Sequence, residues 1–337
     1  MNKTASPMTA FFQATPLRRM TYRRIRRAID EAAVYTQTRM ASFAQLLGEP
    51  LAVEVARVLQ FPKLADMTRE GAASRILAAA SVDLGPDKEL LLELGYIMQL
   101  GNAHMLIIDE IIDNKFAGDP RRVDLIPVAD VFYLEFIVEM QRLMGNDPGL
   151  DVRLREVYRD ALGAIAWEER HHVARLAAYS QEDFVQIQSK CAPLKLVFYP
   201  VLHAKGRLDL EGTIAAVIDA FVLSCLLLDD FKDWREDLHN QRYTWPLTLA
   251  LARLGIHQTA DIPPLSAGFE QRLETAMHAS EVPLMVYRRS LAALEKAHAE
   301  AEAVLPTTAL LLAERRAEMR LDISHLIRAQ HRLLAAG

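Results

Sequence analysis

Hydrophobic residues recur at helical spacing along almost the whole chain. Residues 88–112 read KELLLELGYIMQLGNAHMLIIDEII, with no turn cluster long enough to break a helix. Strong helix formers (Ala, Leu, Glu and Arg) fill most other segments. No segment alternates β-branched and polar residues convincingly, and no Asn-Gly or Asp-Gly hairpin signal occurs. The pattern predicts an all-α protein.

Proline and glycine mark the predicted breaks between helices. These lie at residues 48–50, 85–86, 118–127, 145–149 and 261–268. None of these segments is long, serine-rich or of low complexity, so none has the composition of a flexible interdomain linker. We therefore expect one domain over residues 1–337, built from about ten to twelve helices.

Composition narrows the class of protein. Hydrophobic residues make up 51% of the 337 residues, enough for a large core and an enclosed apolar cavity. A net charge of −5 gives no support for nucleic acid as a partner. The only cysteines, Cys191 and Cys225, favour a reducing compartment over a disulfide framework.

No segment predicts membrane insertion or export. Residues 1–16 contain no sustained apolar stretch, as a signal peptide would. The best spanning candidate, residues 214–228, is too short and contains Asp219. We expect a soluble cytoplasmic protein.

An arginine-rich stretch, LRRMTYRRIRR at residues 17–27, lies within a basic N-terminal segment of residues 1–30. The simplest interpretation is a solvated helical face. Alternatives are a cap that closes over an anionic site and a weak contact with anionic lipid.

A first acidic cluster, Asp109, Glu110 and Asp113, ends a strongly apolar stretch. Asp109 and Asp113 are four residues apart and share a helix face, where like charges are unfavourable. Carboxylates beside apolar surroundings need a compensating cation. Mg²⁺ fits, because it takes one or two carboxylates and completes its octahedron with waters and phosphate oxygens. By itself the pattern also suits a solvated helix.

A second acidic cluster again follows an apolar run. Asp229, Asp233 and Asp237 are spaced to lie along one helix face, with Asp230 beside them. Two aspartate clusters, each at the end of a hydrophobic helix, are hard to explain by packing. We interpret them as opposing walls of one cavity that hold metal against a shared diphosphate.

This pair of motifs in an all-helical chain resembles the class I isoprenoid synthases, which include trans-prenyltransferases, terpene synthases and squalene/phytoene synthases. The likeness is most specific at residues 228–251. There RYTWPL, residues 242–247, is similar to the basic-x-Thr-x-Pro-Leu segment of prenyltransferases. DWRED, residues 233–237, also resembles the acidic motif of squalene and phytoene synthases.

The resemblance implies a single-domain helical bundle around a central apolar cavity, a C10–C20 prenyl diphosphate substrate and a homodimer. It also implies two or three Mg²⁺ ions. The implied metal ligands are Asp109, Glu110, Asp113, Asp229, Asp230, Asp233 and Asp237, and all of these except Glu110 and Asp237 are also implied to be catalytic. The implied diphosphate-binding residues are Lys190, Arg242, Arg121 and Arg122, the last two after a wider gap than prenyltransferases show.

Departures from the family pattern guide the choice of subclass. Chain-elongating prenyltransferases grip isopentenyl diphosphate with a Gly-Gly-Lys-Arg-x-Arg-Pro segment, whereas residues 68–75 read TREGAASR. Leu226 replaces a glutamine before the second cluster, and the loop after Asp233 is shortened. These differences favour a terpene synthase that acts on one prenyl diphosphate. A trans-prenyltransferase and a squalene/phytoene synthase-like condensing enzyme are the alternatives.

Aromatic side chains that line the cavity would stabilise an allylic cation. The principal candidates are Phe116, Trp167, Phe198 and Phe221. Ordinary core packing competes with this interpretation at each position.

Two rival interpretations use the same residues differently. Glu169-x-x-His172 and Glu236-x-x-His239 match the motif of ferritin-like di-iron bundles. Against this, we expect residues 168–172, flanked by arginines, to be solvated, and the aspartates would lack a role. A non-enzymatic helical binding protein would instead expose two unrelated acidic stripes.

Overall fold

Helices account for the regular structure of the protein. A computed structural model describes residues 16–49, 51–60, 64, 72–112, 122–145, 147–279 and 281–336. These residues form no strand, and their one isolated bridge joins Val173 to Arg242. The prediction of an all-α protein is confirmed.

The chain divides into two compact units, one of residues 1–156, 193–218 and 302–311 and the other of the remaining residues. Helices of the first unit are α1 (Pro16–Leu46), α2 (Leu51–Val58), α3 (Ala72–Leu84), α4 (Lys88–Ile112), α5 (Arg122–Met144), α8 (Pro193–Leu196) and α9 (Tyr199–Ala204). Those of the second are α7 (Gln181–Ser189), α11 (Trp234–His239), α12 (Trp245–Arg253), α13 (Ala267–Ala279) and α14 (Val282–Ala301). The division falls within α6 (Pro148–His171), α10 (Glu211–Lys232) and α15 (Pro306–Ala336). Short 3₁₀ turns cover Leu208–Leu210 and Thr259–Asp261. The predicted single domain and central cavity stay predictions.

The core of the first unit forms around α4, which packs against α1 and α5. Leu94, Ile97 and Leu100 on α4 are fully buried. Gly95 lets α1 approach, since a Cβ there would lie 3.2 Å from that of Ala32. Among the described residues, Lys88–Ile108 is the one segment long and apolar enough to cross a membrane, and 67% of its apolar window is buried. This segment is not residues 214–228, the candidate that the sequence suggested.

Polar side chains fasten the helices of the first unit to one another. Arg39 of α1 and Arg142 of α5 both contact Glu139, at 2.7 and 2.6 Å. Arg142 also donates to Glu93 of α4 at 2.8 Å. Glu139 is 6% exposed, so this network satisfies a buried carboxylate and fixes α1 against α4 and α5.

The second unit has its own apolar core. Trp234, Leu247, Phe269 and Met277 belong to one cluster of almost fully buried residues. A smaller cluster includes Phe184 of α7. The burial of Trp234, at the first position of α11, fixes the direction of the chain beside the second acidic cluster.

Two predictions about the helices were wrong. The expected break at residues 118–127 extends too far, because α5 begins at Arg122 and contains Pro127. The helix continues through this proline because Leu125, Val128 and Ala129 are buried in the core. The described residues also form fifteen α-helices rather than ten to twelve. Several, including the four-residue α8, are too short to show periodicity in sequence.

Candidate active site

The second acidic cluster lies where one helix ends and another begins. α10 ends at Lys232, Asp233 has φ −91° and ψ 12°, and α11 starts at Trp234. Asp229 and Asp233 are exposed, whereas Asp230 and Asp237 are partly buried. Two hydrogen bonds of helical spacing, from Asp233 N to Asp229 O at 2.8 Å and from Asp237 N to Asp233 O at 3.0 Å, continue through this junction. The shared face of these three aspartates stays a prediction, and the buried Trp234 enters the core beside them.

Asp230 and Asp237 lie on the protected side of this cluster. Burial raises the pKa of Asp230 well above its usual range, and the negative charge of Asp237 raises it further. The positive charge of Lys190 lowers the pKa of Asp230, whereas the negative charge of Glu168 raises it. Thr244 Oγ1 donates to Asp237 Oδ2 at 3.1 Å and fixes that carboxylate.

The predicted basic residues Lys190 and Arg242 are located beside these aspartates. Lys190, which follows α7 directly, forms an ion pair with Glu168 of α6. Arg242 Nη2 lies 2.8 Å from Glu169 Oε1, and its Nη1 lies 3.8 Å from Glu168 Oε2. The structure thus gathers the six residues that we call the Asp230 cluster: Glu168, Glu169, Lys190, Asp230, Asp237 and Arg242.

Backbone pairing holds Arg242 next to α6. Ala174 N donates to Gln241 O at 2.8 Å, and Tyr243 N donates to His172 O at 2.9 Å. Ala174 and Gln241 both have φ of 54°, in the left-handed region that non-glycine residues adopt infrequently. The short antiparallel pairing therefore sets the position of Arg242 at some conformational cost.

The expectation that residues 168–172 are solvated is correct for Glu169, Arg170 and His171, which are exposed, but not for His172, which follows α6. His172 is 3% exposed, and its ring stacks on that of Tyr179 at 4.1 Å. Burial lowers the pKa of His172, although Asp183 and Glu168 oppose this change. Tyr179 OH donates to Tyr243 O at 3.2 Å. No sequence motif indicated Glu168 or Tyr179, because their contacts form only when distant segments pack together. Thr244, in contrast, belongs to the RYTWPL segment that resembles the prenyltransferase motif.

The Asp230 cluster suits a hard cation by its chemistry. It combines four carboxylates with two basic side chains, and oxygen ligands are those that Mg²⁺ prefers. Burial is the main cause of the raised pKa of Asp230, and the negative charges of Asp237 and Glu168 raise it further. In the described part of the chain, however, no three His, Cys, Asp or Glu side chains are grouped closely enough to hold a metal ion.

The first acidic cluster falls largely outside the described residues. Asp109 belongs to the last turn of α4, but its side chain is not described, and Glu110 is partly buried. The side chain of Arg122 is likewise undescribed. Entirely outside the described residues lie Asp113, Phe116 and Arg121. Their metal-binding, cavity-lining and diphosphate-binding roles stay predictions.

The remaining aromatic candidates are protected from solvent. Phe198 and Phe221 are 1% and 3% exposed, and each is part of the core of its own unit. Trp167 is partly buried, with its ring stacked on His171 at 5.2 Å. Burial suits both core packing and cavity lining, so the lining role stays a prediction.

The di-iron interpretation finds no support in the geometry of its two motifs. Glu169 pairs with Arg242, and His172 packs between aromatic rings. His239 is exposed, and its Nδ1 lies 2.7 Å from Arg235 O. These side chains do not form a metal-binding group within the described residues.

Comparison with known proteins gives the fold. No family model matches the sequence, and no curated protein matches it. The chain is similar in structure to a polyprenyl synthase from Caulobacter crescentus, complexed with calcium and isoprenyl diphosphate. The TM-score is 0.64 at 16% identity, over 86% of this chain and 98% of that one.

Two further solved structures give the same result. A decaprenyl diphosphate synthase from Rhodobacter capsulatus matches with a TM-score of 0.67 and 11% identity, over 90% of this chain and 98% of that one. A geranylgeranyl pyrophosphate synthase from Lactobacillus brevis also has a TM-score of 0.67, with 14% identity, over 83% and 95%. The chain therefore has the all-α fold of the isoprenoid synthases.

Proposed function

We propose that this chain is an enzyme that uses an allylic prenyl diphosphate, as a trans-prenyltransferase does. The observation that carries the proposal is the Asp230 cluster, in which Lys190 and Arg242 lie beside Asp230 and Asp237. Cations next to partly buried carboxylates are what a metal–diphosphate complex requires. The isoprenoid synthase fold provides the context for that chemistry.

The residues of the cluster would act mainly on the leaving group. Mg²⁺, held by Asp230 and Asp237, would neutralise charge that develops on the departing diphosphate. Lys190 and Arg242 would donate hydrogen bonds to its oxygens. In the ligand-free chain Glu168 and Glu169 pair with these two cations, so diphosphate binding would compete with both ion pairs.

Transfer to a second prenyl unit fits the comparisons better than cyclisation does. The structures described above are named as polyprenyl, decaprenyl and geranylgeranyl diphosphate synthases, and this chain spans 95–98% of their length. A terpene synthase is the second candidate. Residues 68–75 favour it, because they lack the paired glycines, lysine and proline with which chain-elongating enzymes hold isopentenyl diphosphate.

Several finer features belong to the same proposal. The divalent ion is Mg²⁺, in line with the calcium bound to the Caulobacter protein. The enzyme works as a cytoplasmic homodimer, and the basic segment of residues 1–30 is a candidate cap over the anionic substrate.

Product analysis tests the proposal directly. Purified protein with Mg²⁺ is incubated with C10, C15 and C20 prenyl diphosphates, each with and without isopentenyl diphosphate. Longer diphosphates identify a prenyltransferase, whereas a hydrocarbon or alcohol from a single substrate identifies a terpene synthase. Asp230→Asn should abolish turnover, and Asp209→Asn, at an exposed position of the first unit, should not. Failure to consume any prenyl diphosphate would contradict both candidates.

A further inference from the structure

A cavity lies within the first unit, between α1 and α2. Its volume is about 690 Å³, within the range of about 300–1,000 Å³ that is typical of small-molecule sites. We call it the α1–α2 groove. Met40 and Leu64, 3% and 1% exposed, belong to its inner part, while Ala41 and Ala56 lie at its exposed rim.

Small side chains keep this groove open. Ala41 and Ala44 line it from α1, and Ala52 and Ala56 line it from α2. Larger apolar residues at these positions would fill the space between the two helices. These alanines, with Met40, Val53, Leu59 and Leu64, give the groove an apolar part that suits a hydrocarbon chain.

Gln99 of α4 supplies a buried polar group at the groove. It is 4% exposed, and its Nε2 donates to Leu64 O at 3.2 Å. Its Oε1 is buried and accepts no hydrogen bond from the described residues. Because leaving a buried acceptor unpaired is unfavourable, a ligand that donates a hydrogen bond here would gain affinity.

The described lining of the groove does not favour an anionic ligand. Among the described residues that form it, none is lysine, arginine or histidine, and Glu49 is the one charged residue. A diphosphate would find no counterion among these residues, in contrast to the Asp230 cluster with Lys190 and Arg242. The chemistry of the lining therefore suits a neutral molecule.

We propose that the α1–α2 groove binds a neutral, chain-like apolar molecule whose hydroxyl group donates a hydrogen bond to Gln99 Oε1. Prenyl alcohols and straight-chain alcohols share this chemistry. The site takes no part in the reaction proposed above, so either proposal can fail without the other.

Binding of matched probes tests the proposal. Isothermal titration of the full chain uses farnesol, 1-tetradecanol and farnesene, a hydrocarbon that resembles farnesol but lacks the hydroxyl. We expect the alcohols to bind, and farnesol to bind about 3- to 10-fold more tightly than farnesene. The relative affinity of farnesol and 1-tetradecanol distinguishes a branched prenyl ligand from a linear one.

Two variants locate the bound alcohol. Ala44→Phe, which fills the groove, should abolish binding of both alcohols, whereas Ser42→Phe, at an exposed position of α1 outside the lining, should not. Gln99→Met should remove the preference for farnesol over farnesene while the variant still binds both. Absence of alcohol binding, or binding that Ala44→Phe leaves unchanged, overturns the proposal. If Gln99→Met does not fold, the comparison of Ala44→Phe with Ser42→Phe still tests the proposal.

Discussion

At the scale of single residues, the proposed role of Arg242 depends on the forked shape of its guanidinium group. Its two terminal nitrogens face carboxylates of Glu168 and Glu169, and backbone pairing with His172 and Ala174 sets its place. Lysine offers one point charge and cannot reproduce this forked geometry. Replacing Arg242 by lysine therefore tests its proposed role in binding diphosphate.

We predict that Arg242→Lys lowers kcat/KM for the prenyl diphosphate by about 10- to 100-fold, as expected for the loss of a hydrogen bond to a charged group. Arg235→Lys is the matched control, because Arg235 is exposed and pairs with Glu274 outside the Asp230 cluster. Steady-state kinetics on both variants measure the difference. Equal effects of the two changes would remove Arg242 from the site.

His104 of α4 makes a prediction about pH. Burial lowers the pKa of His104, and its Nδ1 lies 3.0 Å from Ala129 O. A lowered pKa in the folded state means that the unfolded chain binds a proton first as the pH falls. Its contribution to stability is therefore complete above about pH 6.5 and is lost as the pH falls toward the folded-state pKa.

Chemical denaturation between pH 5 and 8 measures this effect. We expect the free energy of unfolding to decrease below about pH 6.5, and His104→Gln to reduce that slope. His172, whose pKa burial also lowers, contributes in the same direction, so some slope remains. His239→Gln, at an exposed position, serves as control. A slope that His104→Gln leaves unaltered would contradict the prediction.

At the scale of helices, Asp83 at the end of α3 caps the start of α15. Its carboxylate accepts hydrogen bonds from Thr307 N at 2.8 Å and from Thr308 N and Oγ1 at 2.9 Å. The first amides of a helix have no partner within it, and a carboxylate there also interacts favourably with the helix dipole. The contact joins segments 224 residues apart.

We predict that Asp83→Ala destabilises the protein by about 1–2 kcal/mol, the usual effect of losing a helix cap. Urea denaturation measures the change against Asp160→Ala, which alters an exposed aspartate within α6. Because Asp83 lies in the first unit and outside the Asp230 cluster, turnover should remain close to that of the unsubstituted protein. Equal stability of the two variants would show that the cap contributes little.

At the scale of the whole molecule, ligand binding should appear as added stability. The proposed function requires that Mg²⁺ and inorganic diphosphate bind the folded chain, and a hundredfold excess of either over its Kd would add about 2.7 kcal/mol of stability. We predict a higher melting temperature with both together than with either alone, and reversal by EDTA. Asp230→Asn should suppress this shift, and Asp209→Asn should retain it. A shift of equal size in both variants would place the metal and diphosphate elsewhere.

Much of this protein could be predicted from its sequence. Helical periodicity gave the fold class, since apolar spacing is a local property that survives tertiary packing. The composition and order of residues 229–247 indicated Asp230, Asp237 and Arg242, and the motif after α7 indicated Lys190. The short helices escaped prediction, because four to six residues carry too little periodicity.

Tertiary structure decided which of the candidate side chains are protected from solvent and which lie next to one another. The spacing of the four aspartates did not indicate which of them solvent reaches. Packing leaves Asp229 and Asp233 exposed and makes Asp230 and Asp237 the partly buried pair. Glu168 and Glu169 meet Lys190 and Arg242 because distant segments pack together, and no local pattern encodes that contact. Sequence alone determined the residue types for binding metal and diphosphate, whereas packing selected which of them face one another.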